Sequence, residues 1–249
     1  MTQLPYDDFR DAGYRIFGLY PITGGQCGCG DPTCKVAGKH PFSASWQHSP
    51  LWSDDQIEVM QMTGQLSTGY GVLCKGLIVV DIDARNGGVE SWYRLSEDVP
   101  EIAGAGLIVA TGSGGGSKHL YFKAPDGVAL VSHLPEYKGI DFKSSGYVVG
   151  PGSLHHSGNR YMIEAGCADD IADAPSALIE LLRKPERHRA EYNGAHMDVS
   201  HADLAEMLAC ISPDCDHETW IKCGMACHEA SGGTAFAVWD EWSAKGTKY

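Results

Sequence analysis

The chain has 249 residues, enough to bury a full core as one large domain or two unequal ones. Its 43% hydrophobic and 20% charged residues describe an ordinary globular protein; no run reaches membrane-spanning length and the start lacks a signal-peptide pattern, so a cytoplasmic protein without a membrane partner is expected. The net charge of −13 excludes a uniformly basic coat, so nucleic acid would have to be met by a local basic groove.

The acidic excess is uneven: residues 1–165 carry 12 Lys/Arg against 17 Asp/Glu, and the remainder 7 against 15. Nine unevenly spaced cysteines suit reduced thiols and a metal site better than a disulfide framework. In chain order, Asp8 to Phe17 reads as a short amphipathic helix with Phe9, Ala12 and Ile16 on one face, and Arg15 to Pro21 as a strand stopped by proline. A glycine- and proline-rich loop over 24–41 then holds Cys27, Cys29, Cys34 and His40, spaced C-x-C-x4-C-x5-H. Four soft ligands would fill the tetrahedron of a structural Zn²⁺ and leave no open position; the other reading is a loop of free thiols. Lys39 beside this loop could meet a phosphate or be a solvated lysine.

Ser53 followed by Asp54-Asp55-Gln56 predicts a capped helix of about a dozen residues, and Gly69 to Leu73 a strand. Leu77-Ile78-Val79-Val80-Asp81-Ile82-Asp83 is the most marked stretch, an apolar run that reads as a buried strand. Alternation places Asp81 and Asp83 on one face, where two carboxylates repel unless a cation such as Mg²⁺ or Mn²⁺ joins them; a polar turn after the strand would equally explain them. On the repulsion argument, removing one of the pair should leave stability equal or higher. A helix is expected over Val89 to Leu95, ending before Pro100.

Gly106 to Thr111 and Lys118 to Phe122 read as two strands of a hairpin with the glycine-rich tip Gly112 to Ser117, whose amides could approach an anion. The tip has neither the Walker nor the Rossmann spacing. His119 shares a face with Tyr121 and Lys123 and is either a structural hydrogen-bonder or a chemical group. On Gly139 to Lys143, Asp141 and Lys143 share a face, as a salt bridge or as ligands of a metal and a phosphate. Gly146 to Ser153 reads as a strand and turn, and Tyr161 to Glu164 as a short final strand.

Taken together, Asp81-Ile82-Asp83, Ser117-Lys118-His119 and Ile140-Asp141 resemble the three motifs of the archaeo-eukaryotic primase superfamily. The cysteine loop ending in Gly38-Lys39-His40-Pro41, and Gly146 to Ser153, are similar to its bifunctional primase-polymerase (prim-pol) family of phages, plasmids and mobile elements. The resemblance implies an α/β (α+β) catalytic domain with a mixed sheet and a zinc-binding loop over residues 1–183. It implies Asp81, Asp83 and Asp141 as ligands of catalytic Mg²⁺ or Mn²⁺, and Ser117, His119 and Lys143 as triphosphate ligands; Lys39, from its place beside the loop, joins them as an expected nucleotide-binding residue. The implied activity is synthesis and extension of primers from NTPs or dNTPs on a single-stranded DNA template, in replication of a mobile element. An extension-only polymerase and a catalytically silent origin-binding module are the alternatives, and a replicative helicase domain downstream is an implied partner.

Residues 184–199 read as a linker or as a helix cap with an ordered loop. From 200 to 249 a small all-α module similar to a primase C-terminal domain is expected, with helices capped by Ser200, Asp216 and Thr234. Leu204, Met207 and Leu208, then Trp220, Ile221 and Met225, then Phe236, Val238, Trp239 and Trp242 are its expected core. Cys223 and Cys227, one turn apart, could be core residues or join Cys210, Cys215 or His217 on a second zinc.

Overall fold

The computed structural model describes residues 4–184 and 199–247, and the chain divides into two compact units, Met1–Pro185 and Glu186–Tyr249. Apart from Lys184 and Val199, the expected linker lies outside the described residues.

The first unit opens with α1 (Tyr6–Asp11) and β1 (Ile16–Gly18). The expected helix over Asp8 to Phe17 therefore stops early. Gly13 takes a positive φ of 86°, Tyr14 N–H donates to the Phe9 carbonyl at 2.8 Å, and Ile16 becomes a fully buried strand residue. A two-stranded ribbon follows, β2 (Ile22–Thr23) with β3 (Gln26–Cys27). Helix α2 (Asp54–Met62) starts at the Ser53/Gln56 capping box, as expected, but runs nine residues because Gly64, at φ 75°, closes it.

Next come β4 (Tyr70–Leu73), β5 (Leu77–Ile82), α3 (Gly88–Asp98), β6 (Leu107–Ala110), β7 (Lys118–Lys123), β8 (Ile140–Lys143), β9 (Tyr147–Val149), β10 (Met162–Ala165) and α4 (Ser176–Leu182). They form a three-stranded sheet, β1-β4-β9, and a five-stranded sheet, β10-β6-β7-β5-β8. The α/β class with a helical C-terminal unit is as expected. The mixed sheet needs correction: among the described residues every pairing of named strands is antiparallel, and parallel character is confined to the isolated Lys123–Asp173 bridge. The β6–β7 connection, residues 111–117, is too short for the crossover that a parallel pair needs.

Strand β5 lies between two apolar cores. Leu77 and Val79 join the core that runs between the sheets, with Tyr70, Val72, Val109, Tyr121 and Val149. Ile78, Val80 and Ile82 face the other way, toward Leu95, Leu120, Phe142 and Leu178. Burial on both faces is why the sequence is apolar without alternation. Each buried Val, Leu or Ile contributes roughly 1.5–3 kcal/mol of transfer free energy, so this strand is firmly placed.

In the second unit, α5 (His201–Ala209), α6 (His217–Ala230) and α7 (Phe236–Ser243) pack around Leu204, Leu208, Cys223, Cys227, Ala235 and Trp242. Ser200 and Asp216 cap as expected. Thr234 does not: α7 is capped at Ala235, and Thr234 Oγ1 instead bonds His201 Nε2 at 3.0 Å and the Ser231 carbonyl. Met207, Ile221, Met225 and Phe236 are exposed rather than in the core. On α6 the buried stripe is Cys223 and Cys227, and a two-residue step turns about 200° around a helix, which carries Ile221 and Met225 to the outer face. These cysteines are core residues.

Candidate active site

The antiparallel register of three strands builds the site. Asp81 of β5 stands opposite His119 of β7 on one side and Asp141 of β8 on the other. Side chains in one row of a sheet share a face, so His119, Asp81 and Asp141 line up across three adjacent strands. The row continues the Leu77 and Val79 face, at the end of the core between the sheets.

Asp81 uses both of its oxygens. His119 Nε2 lies 3.4 Å from Oδ1, and Lys143 Nζ lies 3.5 Å from Oδ2 and 3.2 Å from Asp141 Oδ2. Burial alone would push the Asp81 carboxyl up, but the hydrogen bond and charge of His119, with Lys143 and Lys39, outweigh it and hold it at about 2. His119 Nδ1 is buried and has no protein partner.

Asp83 follows the strand in extended conformation and caps a 3-10 turn over Ala84–Asn86. Its backbone N–H donates to the Gly139 carbonyl at 2.8 Å, and Gly88 N–H donates to the Asp83 carbonyl at 2.9 Å. Gly139, at φ 79°, comes so close to Gly88 that an added Cβ would lie 2.5 Å from its nitrogen. Only glycine fits that approach, which fixes Asp83 beside Asp81. The Asp83 carboxylate accepts from Arg85 Nε at 3.2 Å and Asn86 Nδ2 at 2.8 Å. Burial raises this carboxyl, and the bonds and charge of Arg85, with Asn86, bring it below the ordinary value.

A cavity of about 300 Å³ collects Asp81, Asp83 and Asp141 with Ser117, His119 and Lys39. Ser117 is buried at the foot of the glycine tip, and its Oγ accepts from Ala84 N–H at 3.0 Å. Gly114, Gly115 and Gly116 all have positive φ, and the last two are exposed at the tip. Lys143 stands apart: it spans Asp81 and Asp141 and lines a neighbouring cavity instead. Arg85, Asn86, Thr111, Ser113 and Tyr161 also line the first cavity and were not anticipated. Arg85-Asn86-Gly87-Gly88 reads as an ordinary turn, and only its position directly after the two aspartates hinted at more.

Lys143 Nζ already sits between Asp81 and Asp141, so these two carboxylates suit a positive charge. Asp83 lies on the wall of the same cavity, but the three are not drawn together as closely as a set of metal ligands. Cys27, Cys29, Cys34 and His40 do converge, with all four ligand atoms within 4.8 Å of one another. Cys34 Sγ and Cys27 Sγ lie 3.5 Å and 3.6 Å from His40 Nδ1. Zinc bonds of about 2.3 Å to sulfur and about 2.0–2.1 Å to nitrogen, at tetrahedral angles, put S and N roughly 3.5–3.6 Å apart, so the cluster is compatible with structural zinc. Burial and the neighbouring thiols push Cys27 up, which opposes ionising three sulfurs together without a cation. Among the described residues this is the one Cys/His/carboxylate group whose ligand atoms are gathered so closely; neither the carboxylates of the cavity nor the cysteines of α6 form another.

The exit of the loop is tied to the site. Tyr147 Oη donates to the Lys39 carbonyl, Tyr20 N–H to the His40 carbonyl at 2.8 Å, and Leu19 bridges Pro41.

Residues 9–177 match the family described as bifunctional DNA primase/polymerase, N-terminal, and the chain belongs to that family. Residues 204–249 match primase C terminal 2. No curated protein matches the chain. The two matches support a primase/polymerase function in replication, carried by a nucleotidyltransferase-type enzyme that binds DNA and nucleotides. No helix among the described residues is long and apolar enough to cross a membrane.

Proposed function

We propose that the chain performs template-directed nucleotidyl transfer from NTPs or dNTPs on single-stranded DNA, both starting and extending primers. The observation that carries this is the His119–Asp81–Asp141 row, with Asp83 beside it, on the wall of a polar cavity that also holds Ser117 and Lys39.

In this reading Asp81, Asp83 and Asp141 hold Mg²⁺ or Mn²⁺. When bound, the ions stabilise the attacking and leaving oxygens of an in-line displacement. The 3′-hydroxyl oxygen bonds to the α-phosphorus, the bond to the bridging oxygen breaks, pyrophosphate departs and the hydroxyl proton passes to solvent. Ser117, Lys39 and the glycine tip bind the triphosphate tail. His119 orients Asp81 and meets the tail from the cavity wall. Lys143, which lies between Asp81 and Asp141, meets the α-phosphate as a point charge. The cysteine loop, folded around zinc, holds Lys39 in reach.

The test is incorporation of radiolabelled nucleotides on unprimed and on primed single-stranded DNA with Mg²⁺ or Mn²⁺. Products on both are expected. Products on primed template alone would reduce the activity to extension, and none on either would leave a silent binding module.

A further inference from the structure

Beside the polar cavity lies a second one of about 350 Å³, within the size range of small-ligand sites. Asp141 lines both cavities. The two differ in chemistry. The first offers carboxylates, Lys39, Arg85 and hydroxyls; the second is walled by the indole of Trp46 and the phenol of Tyr147, with Ser132 and Ser145 at its edge. The two rings meet edge to face, 4.8 Å between centroids, and Trp46 also packs on Phe17 at 5.4 Å. Tyr147 Oη bonds the Lys39 carbonyl, so one wall of each cavity is fastened to the other.

We propose that the Trp46–Tyr147 cavity binds the base and sugar of the incoming nucleotide. The inference rests on the nucleotidyl-transfer reading and gives that site its second half. A nucleoside triphosphate is an anionic tail joined through its α-phosphate to an aromatic head. Its α-phosphate belongs at the carboxylate row, and its tail fits among Lys39, Ser117 and Arg85. Asp141 then marks the crossing point, and Lys143, 3.2 Å from it, stands at the boundary. Stacking on an aromatic side chain tolerates any base, because every base has a π-face, and a template-directed enzyme must accept all four. Ser132 and Ser145, which line the same cavity, offer hydroxyls to the sugar.

The test compares two probes on the full chain with Mg²⁺, by calorimetric titration. One is an α,β-methylene nucleoside triphosphate, which cannot be transferred; the other is inorganic tripolyphosphate. Trp46→Leu removes the stacking surface. Ser145→Tyr fills the cavity from an exposed turn, where folding is little affected. Each should weaken the nucleotide analogue about tenfold and leave tripolyphosphate unchanged, and Trp46→Phe should largely restore binding. Equal affinity of the unsubstituted chain for both probes, or variants that weaken both alike, would overturn the inference. Variants that bind the analogue normally but lose a primer–template would also overturn it, by giving the cavity to the primer terminus. An unsubstituted chain that binds neither probe would overturn the nucleotidyl-transfer reading as well.

Discussion

The carboxylate row and the cysteine loop occupy the same unit, yet they are positioned by different means. The row stands on β5, β7 and β8, whose pairing sets Asp81 between His119 and Asp141 and whose inner residues are fully buried. Its charges are already answered by Lys143 and His119. The loop has a two-residue ribbon, glycines at positive φ and thiols aimed at one another. A divalent ion at the row would therefore serve chemistry on a finished scaffold, whereas zinc at the loop would serve folding.

The sharpest way to break the comparison is Asp81→Ala. Nucleotide incorporation should fall by at least about 10²–10³-fold, the scale of losing one preorganised electrostatic group. Stability should also fall, by roughly 1–3 kcal/mol, because Lys143 and His119 lose their partner. This reverses the expectation drawn from repulsion alone. Asp83, held by the exposed Arg85, should cost less than about 1 kcal/mol when replaced by alanine while still abolishing incorporation. Denaturant midpoints and incorporation assays on both variants would check this.

Next in size is the loop. Elemental analysis should find about one zinc per chain, and Cys29→Ser with Cys34→Ser should lose it. Starting a primer should then suffer more than extending one, by about tenfold or more, since Lys39 is carried by the loop. His119→Ala should weaken nucleotide binding and turnover by about 10–100-fold, the worth of a charge-assisted hydrogen bond, and leave affinity for single-stranded template unchanged in a filter-binding titration.

A smaller effect follows from Asp81's depressed carboxyl, at about 2 against an ordinary 3.8. A group whose folded value is lowered contributes stability above its unfolded value and loses it as pH falls through the folded one. Roughly 2 kcal/mol should therefore disappear between about pH 4 and pH 2, and Asp81→Asn should flatten that limb of a pH series of denaturant midpoints.

The strands were legible in the sequence because both faces of β5 are buried, β6 is a short apolar run, and β7 and β8 alternate apolar with polar or aromatic residues beside glycine-containing turns. Asp81, His119 and Asp141 were readable as residues, but their common row was not, since it depends on pairing register. The salt bridge of Lys143 to Asp141 was open from their alternation, but its reach to Asp81 depends on that register; Arg85 and Asn86 escaped because they clasp Asp83 from what reads as an ordinary turn. The helical unit was misread where apolar type was taken for burial. Ile221, Met225 and Phe236 lie outside, while two small cysteines fill the core. A unit of this size has too little interior for every apolar side chain.

The central claim, that the row is built by the sheet and the loop by its metal, is tested most directly by amide hydrogen exchange before and after treatment with a strong zinc chelator. The account predicts that amides across 24–41 lose protection while those of β5, β7 and β8 keep theirs. A loop that stays protected without zinc, or strands that open together with it, would contradict the claim.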